Sequence, residues 1–227
     1  MKKKKKLRIL LAAFFTGCIL CTGCGENEIA LGVESADTIA IDENGSVLYD
    51  MTGYFDQSYY DITQLVEMAR SEAAEYSVSN IEGGVSLDAY GKRDSDGFVN
   101  LTYHCTSSSV FADCFDAKLF YGSVAEAVSK GYSLNGVSFV KVSDGSVMSG
   151  SDIMTKYPDN HVIITDFEGI IEGPYMALYT TNGCLRKVSS SNSKTEYIDT
   201  RNESGSEDLE ENEETSKKEL HFILLKK

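Results

Sequence analysis

The chain has 227 residues, the length of one or two domains. Six of its 21 basic residues, Lys2 to Lys6 and Arg8, lie in the first 23 positions, which hold no acid; without that segment 15 bases face 35 acids, a balance of −20. So acidic a body excludes nucleic-acid binding through a basic face, which needs Lys and Arg to neutralise phosphate, while 42% hydrophobic residues exclude a wholly disordered chain.

After the lysines, the 13 residues from Ile9 to Cys21 are uncharged and mostly apolar. That is short of the ~20 residues that span a bilayer and fits the apolar region of an export signal. Small residues then lead into a cysteine, Leu20-Cys21-Thr22-Gly23-Cys24. This segment resembles the lipobox of bacterial lipoproteins, and departs from its pattern in carrying Cys21 three places before Cys24, where Leu is usual. The resemblance implies that residues 1–23 are a signal peptide, that Cys24 receives a diacylglyceryl thioether, and that cleavage before it leaves Cys24 as the first mature residue. It places the protein on the extracytoplasmic face of a membrane, with the membrane as a partner through Cys24. Each buried methylene contributes ~0.8 kcal/mol, so two acyl chains hold where one does not. The acidic body has no polybasic patch to help, and anionic lipids repel it.

Residues 24–37 read as the lipidated cysteine and an acidic tether; thirteen extended residues reach roughly 40 Å. From 38 to 57 a hairpin is expected: Ile39 and Ile41, then Glu43-Asn44-Gly45, then Val47 and Tyr49, with Asn-Gly favouring a type I′ turn. Residues 61–76 predict a helix capped by Asp61, with Ile62, Leu65, Val66, Ala69, Ala73 and Tyr76 on its apolar face. A second hairpin covers 84–105 around Asp94-Ser95-Asp96-Gly97; its return strand alternates Val99, Leu101, Tyr103 and Cys105 with Asn100, Thr102 and His104. Residues 107–131 predict two short helical pieces, the second with a Ser123–Glu126 capping box and a stop at Gly131. A third hairpin is expected at 137–148, a β-rich run at 161–167, and a fourth hairpin at 175–188 turned by Asn182-Gly183. Residues 201–216 hold seven acids and one large apolar residue, Leu209, and predict disorder. The apolar run Leu220 to Leu225 that follows predicts a strand returning to the domain.

The expected organisation is therefore a signal peptide at 1–23, a lipidated tether at 24–37, an α+β domain at 38–200, a disordered acidic loop at 201–218 and a returning strand at 219–227. The expected fold is a mostly antiparallel sheet of six to eight strands built from hairpins, with two or three helices on one face.

Catalytic signatures are sparse. Cys105, Cys114 and Cys184 remain in the body, an odd number that leaves open one disulfide or three free thiols, and these three form no Cys-x-x-Cys. His104, His161 and His221 stand apart from one another, so no metal site and no cofactor are expected. Gly145 to Gly150 has a phosphate-loop interval, but Ser151 stands where the lysine belongs. Tyr49, Tyr54, Tyr59 and Tyr60 form an aromatic cluster with Phe55, a candidate interaction surface or a packed corner. The reading that results is a membrane-anchored, non-enzymatic module for a protein, peptide or envelope ligand. The alternatives are an extracytoplasmic hydrolase with an unrecognised site and a small solute-binding lipoprotein.

Overall fold

A computed structural model describes residues 36–55, 57, 60–81, 83–93, 97–188, 196–201 and 219–226. Cys24, Tyr59, residues 94–96 of the second turn and the acidic stretch 202–218 lie outside them.

The first hairpin joins β1 (Thr38–Ile41) to β2 (Val47–Tyr54). Its turn is not type I′. The Asp42 N–H donates to the Ser46 carbonyl and the Gly45 N–H to the Asp42 carbonyl, both at 3.0 Å, so Glu43, Asn44 and Gly45 form a three-residue loop. Within it only Gly45 takes a positive φ, 83°, as such loops require. Asp42 selects this geometry: its Oδ1 accepts from the Asn44 N–H at 2.9 Å and the Ser46 N–H at 2.8 Å.

Asp61 caps α1 (Ile62–Ser79), accepting from the Thr63 and Gln64 N–H groups, and Val66, Ala69, Ala73 and Tyr76 form its buried stripe. The second hairpin is β3 (Val85–Arg93) with β4 (Phe98–Cys105); its register slips between Leu87 and Ala89, leaving Asp88 as an extra residue. Residues 107–131 hold α2 (Ser108–Cys114), then β5 (Leu119–Ser123), then α3 (Val124–Ser129). The strand corrects the helical expectation: Leu119 to Ser123 pair with 161–165, and tertiary pairing overrides a local helical pattern. Ser123 ends β5 and caps α3, and the Ser123–Glu126 box is complete.

The third hairpin is β6 (Ser138–Lys141) with β7 (Val147–Ser149), followed directly by α4 (Gly150–Lys156). A Cβ at Gly150 would lie 1.8 Å from the Leu134 carbonyl oxygen, so this glycine serves close packing. The chain continues through β8 (His161–Thr165), β9 (Ile170–Glu172), β10 (Ala177–Thr181), β11 (Leu185–Val188), β12 (Glu196–Asp199) and β13 (His221–Leu225). β10 and β11 do not form the expected fourth hairpin. β10 pairs with β6 and β13 while β11 pairs with β12 in the other sheet, so Asn182-Gly183 is a corner between sheets.

Among the described residues, thirteen strands and four helices make an α+β fold. The strands divide into two sheets, ordered β11-β12-β9-β1-β2-β4-β3 and β5-β8-β13-β10-β6-β7. Every pairing is antiparallel except β1 with β9.

Two cores follow from this layering. One lies between the sheets. Across the seven-stranded sheet, the register aligns Ile198, Ile171, Ile39, Tyr49, Tyr103 and Leu87 in one inward row. That row meets Leu119, Ile163, Ile223 and Leu225 of the six-stranded sheet, with α1 and α2 completing the cluster. The other core covers the opposite face of the six-stranded sheet, where Phe120, Val162, Ile164, Phe222 and Leu224 pack against Val124 and Ala127 of α3 and Ile153 of α4. Helices thus serve both cores instead of one face of a single sheet. β8 and β13 are buried on both faces, which is why Val162-Ile163-Ile164 and Phe222-Ile223-Leu224-Leu225 read as unbroken apolar runs.

β13 sits centrally, so the fold depends on it. A chain ending at residue 218 should show no cooperative unfolding by circular dichroism. In the full chain, Leu224→Ala should lower the unfolding free energy by roughly 2–5 kcal/mol in a denaturant titration.

Candidate functional site

The inward row of the seven-stranded sheet determines what points outward, because strand side chains alternate. One outward row runs Glu172, Ala40, Leu48, His104, Ser86 from β9 to β3. The next runs Ile170, Thr38, Asp50, Thr102, Ala89, and a third Thr52, Asn100, Gly91. Where the first row meets the β1–β2 turn lies a groove of about 400 Å3, lined by Ala40, Ile41, Asp42, Ser46, Leu48, Asp88 and His104. The β3 bulge places Asp88 at its rim, where the carboxylate accepts from the Ser86 hydroxyl at 2.6 Å.

Ser46 and His104 meet in this groove, with Ser46 Oγ 2.7 Å from His104 Nε2. A serine beside an imidazole is the first half of a nucleophile pair, which also needs an orienting group and oxyanion donors. Here the Ser46 hydroxyl also reaches the Cys105 carbonyl at 3.2 Å, and the Ser46 and Gly45 N–H groups both turn to Asp42. The contact therefore works as a polar latch tying the turn to β4. Period-two alternation already turned His104 outward; the register that brings position 46 to it, 58 residues away, has no local signal.

Beside the groove, Asp50 accepts a hydrogen bond from the Thr102 hydroxyl. Glu172 lies diagonally across from it, and burial, then the Asp50 charge, push the Glu172 carboxyl above its ordinary value. Asn100 is fully buried, and neither its Oδ1 nor its Nδ2 has a hydrogen-bond partner.

The tyrosine cluster divides. Tyr49 is a core residue and not part of a surface: it is 7% exposed and packs edge-on to Phe111, Phe115 and Phe167. Its position in the inward row dictates this, and its hydroxyl donates to Asp37 Oδ2 at 2.8 Å. Asp37 Oδ1 also accepts from the Thr52 N–H and hydroxyl, so one carboxylate ties the start of β1 to β2. Tyr54 is 66% exposed and edge-on to Phe98. Tyr60 stacks on Phe55 at 4.5 Å. Of the described three, Tyr49 is buried while Tyr54 is exposed and Tyr60 half-buried; Tyr59 lies outside the described residues.

The three described cysteines are free thiols, Cys105 and Cys114 buried and Cys184 half-buried. Burial pushes the Cys114 thiol up to about 12 and the Cys184 thiol up to about 11, so both stay protonated at neutral pH. Cys184 Sγ lies 3.6 Å from Nδ1 of His221, whose imidazole burial holds below its ordinary value. His161 is stacked between Tyr121 and Tyr175, at 5.0 and 5.9 Å. Among the described residues no three His, Cys, Asp or Glu side chains gather as a metal site, and no helix is long and apolar enough to cross a membrane. No protein-family model, curated protein or solved structure matches this chain.

Two substitutions probe the outward face. Asn100→Val removes two buried unpaired polar atoms and should stabilise the fold by about 1 kcal/mol, seen as a melting temperature higher by roughly 2–4 °C. Glu172→Gln should stabilise at pH 7 and have little effect below pH 4. A raised carboxyl pKa means the folded state binds the proton more tightly, so stability falls as pH rises past the unfolded value of 4.5. Thermal melts across that range check the sign.

Proposed function

We propose that this chain is an extracytoplasmic lipoprotein, anchored through Cys24, whose α+β domain is a non-enzymatic binding module. The observation that carries the anchoring is the order of its first 24 residues: five lysines, an uncharged apolar stretch, then Gly23-Cys24. An acidic tether leads from there to β1.

The strand geometry supports the binding role. The tether enters at the Ala36 end of β1, and the groove lies at the Asp42–Ser46 end. Six residues at about 3.3 Å each put roughly 20 Å between them. The groove thus sits at the far end of β1 from the point where the chain enters it at Ala36. The latch role of Ser46 favours binding over catalysis. The hydrolase alternative draws on the 2.7 Å Ser46–His104 contact alone. For the solute-binding alternative, the space of about 10 Å3 beside Ile163, Ile171 and Ile223 holds about one water, so that alternative draws on the same outward groove.

The Cys24→Ser chain should move from the membrane to the soluble fraction, and mass spectrometry of the wild-type mature terminus should find two or more acyl chains on residue 24. Equal membrane retention of the serine variant, or an unmodified Cys24, overturns the anchoring. Ester hydrolysis lost in Ser46→Ala, with the melting temperature unchanged, overturns the non-enzymatic reading.

A further inference from the structure

The groove has a mixed lining that points to one class of ligand. Ala40 and Leu48 supply an apolar floor, and Leu48 leaves 45% of its surface to solvent although it sits within β2. Among the described residues, the acidic side chains on the rim are Asp42 and Asp88, and no Lys or Arg lines the groove. Asp42 uses Oδ1 for the Asn44 and Ser46 N–H groups, and Asp88 uses Oδ1 for the Ser86 hydroxyl. Each carboxylate keeps a second oxygen that carries no hydrogen bond among the described residues. Acidic side chains continue along the same face with Asp50 and Glu172, and neither takes part in an ion pair among the described residues.

We propose that this groove and the sheet face beside it dock an extended peptide segment in which an apolar residue has lysine or arginine two positions before and two positions after it; the proposal rests on the binding-module reading above. An extended peptide places residues i and i+2 about 7 Å apart on one side. An apolar side chain at i can then cover Leu48 while basic side chains at i−2 and i+2, on the same side of the peptide, reach the carboxylates of Asp42 and Asp88. A volume of about 400 Å3 accepts a short segment, near the lower end of the ~300–1,000 Å3 seen for ligand sites. Acidic peptides meet the same carboxylates as repulsion. A bare polyamine satisfies the charge but leaves Leu48 wet.

The test uses the full acylated chain in detergent micelles and two labelled pentapeptides, Lys-Ser-Leu-Ser-Lys as the basic one and Glu-Ser-Leu-Ser-Glu as the acidic one, read by fluorescence anisotropy. The basic peptide should bind and the acidic one should not. Raising salt from about 20 mM to about 500 mM should weaken binding at least tenfold, because exposed charges are screened. Asp88→Lys and Leu48→Ser should each weaken binding about tenfold or more. Asp88 is exposed at a bulge, so its variant should keep the wild-type melting temperature. Equal binding of both peptides, unchanged affinity in Asp88→Lys, or displacement of the basic peptide by millimolar calcium chloride overturns the proposal, the last by showing that the carboxylates serve a metal ion. Fractionation of Cys24→Ser is read in parallel. Membrane release without peptide binding ends the docking proposal alone, and membrane retention with peptide binding ends the anchoring alone.

Discussion

The insertion of β13 between β8 and β10 is the constraint on which the rest of the molecule depends. Its register sets Phe222 against Ile164, Ile223 against Ile163 and Leu224 against Val162, and every one of these side chains is buried. Because the strand alternates, Ile223 and Leu225 enter the core between the sheets while Phe222 and Leu224 enter the core beneath α3 and α4. One five-residue strand therefore takes part in both cores. Burying such side chains contributes ~1.5–3 kcal/mol each, comparable in sum to the net stability of a domain. The six-stranded sheet is consequently a shared wall, while the outer face of the seven-stranded sheet buries Ala36, Ile170, Tyr197 and Asn100 and leaves Leu48 exposed.

That outer face and the inner core come from the same alternation. Ile39 and Tyr49 turn inward, so Ala40 and Leu48 turn outward and become the floor of the groove. Asp42 then acts twice. It selects a three-residue loop by accepting two backbone N–H groups, and this loop carries Ser46 to His104. A two-residue turn would shorten the hairpin and remove both the latch and the rim. The turn chemistry and the groove geometry are thus one feature, and the groove would not survive a change in loop length.

Local chemistry was legible in the chain where the responsible partners are near in sequence. Asp61 capping α1 and the Ser123–Glu126 box act within three residues, and the three hairpins β1–β2, β3–β4 and β6–β7 have strongly patterned strands with turn residues between them. The failures share one cause. Asn182-Gly183 has hairpin chemistry, yet β10 is captured by β6 and β13 and β11 by β12. Leu119 to Ser123 has a local pattern compatible with helix, yet β8 takes it as a strand. β9 and β12 are three- and four-residue strands too short for any period to register. For the site, His104 was already turned outward by alternation, Tyr49 was placed among surface candidates although its alternation matched Ile39, and the pairing of Ser46 with His104 carried no local signal.

The amino-acid sequence by itself determined the acidic body, the lipobox-like terminus, the caps, the alternating strands and the α+β character, because each rests on composition or on contacts a few residues apart. Only the tertiary structure decided that the strands form two sheets, that Tyr49 belongs to the core, and that Asp42, Ser46, Asp88 and His104 border one groove. Those outcomes depend on which distant strand supplies each backbone hydrogen bond. That choice is settled by burying both faces of the central strands at once, a condition that no single segment of the chain can express.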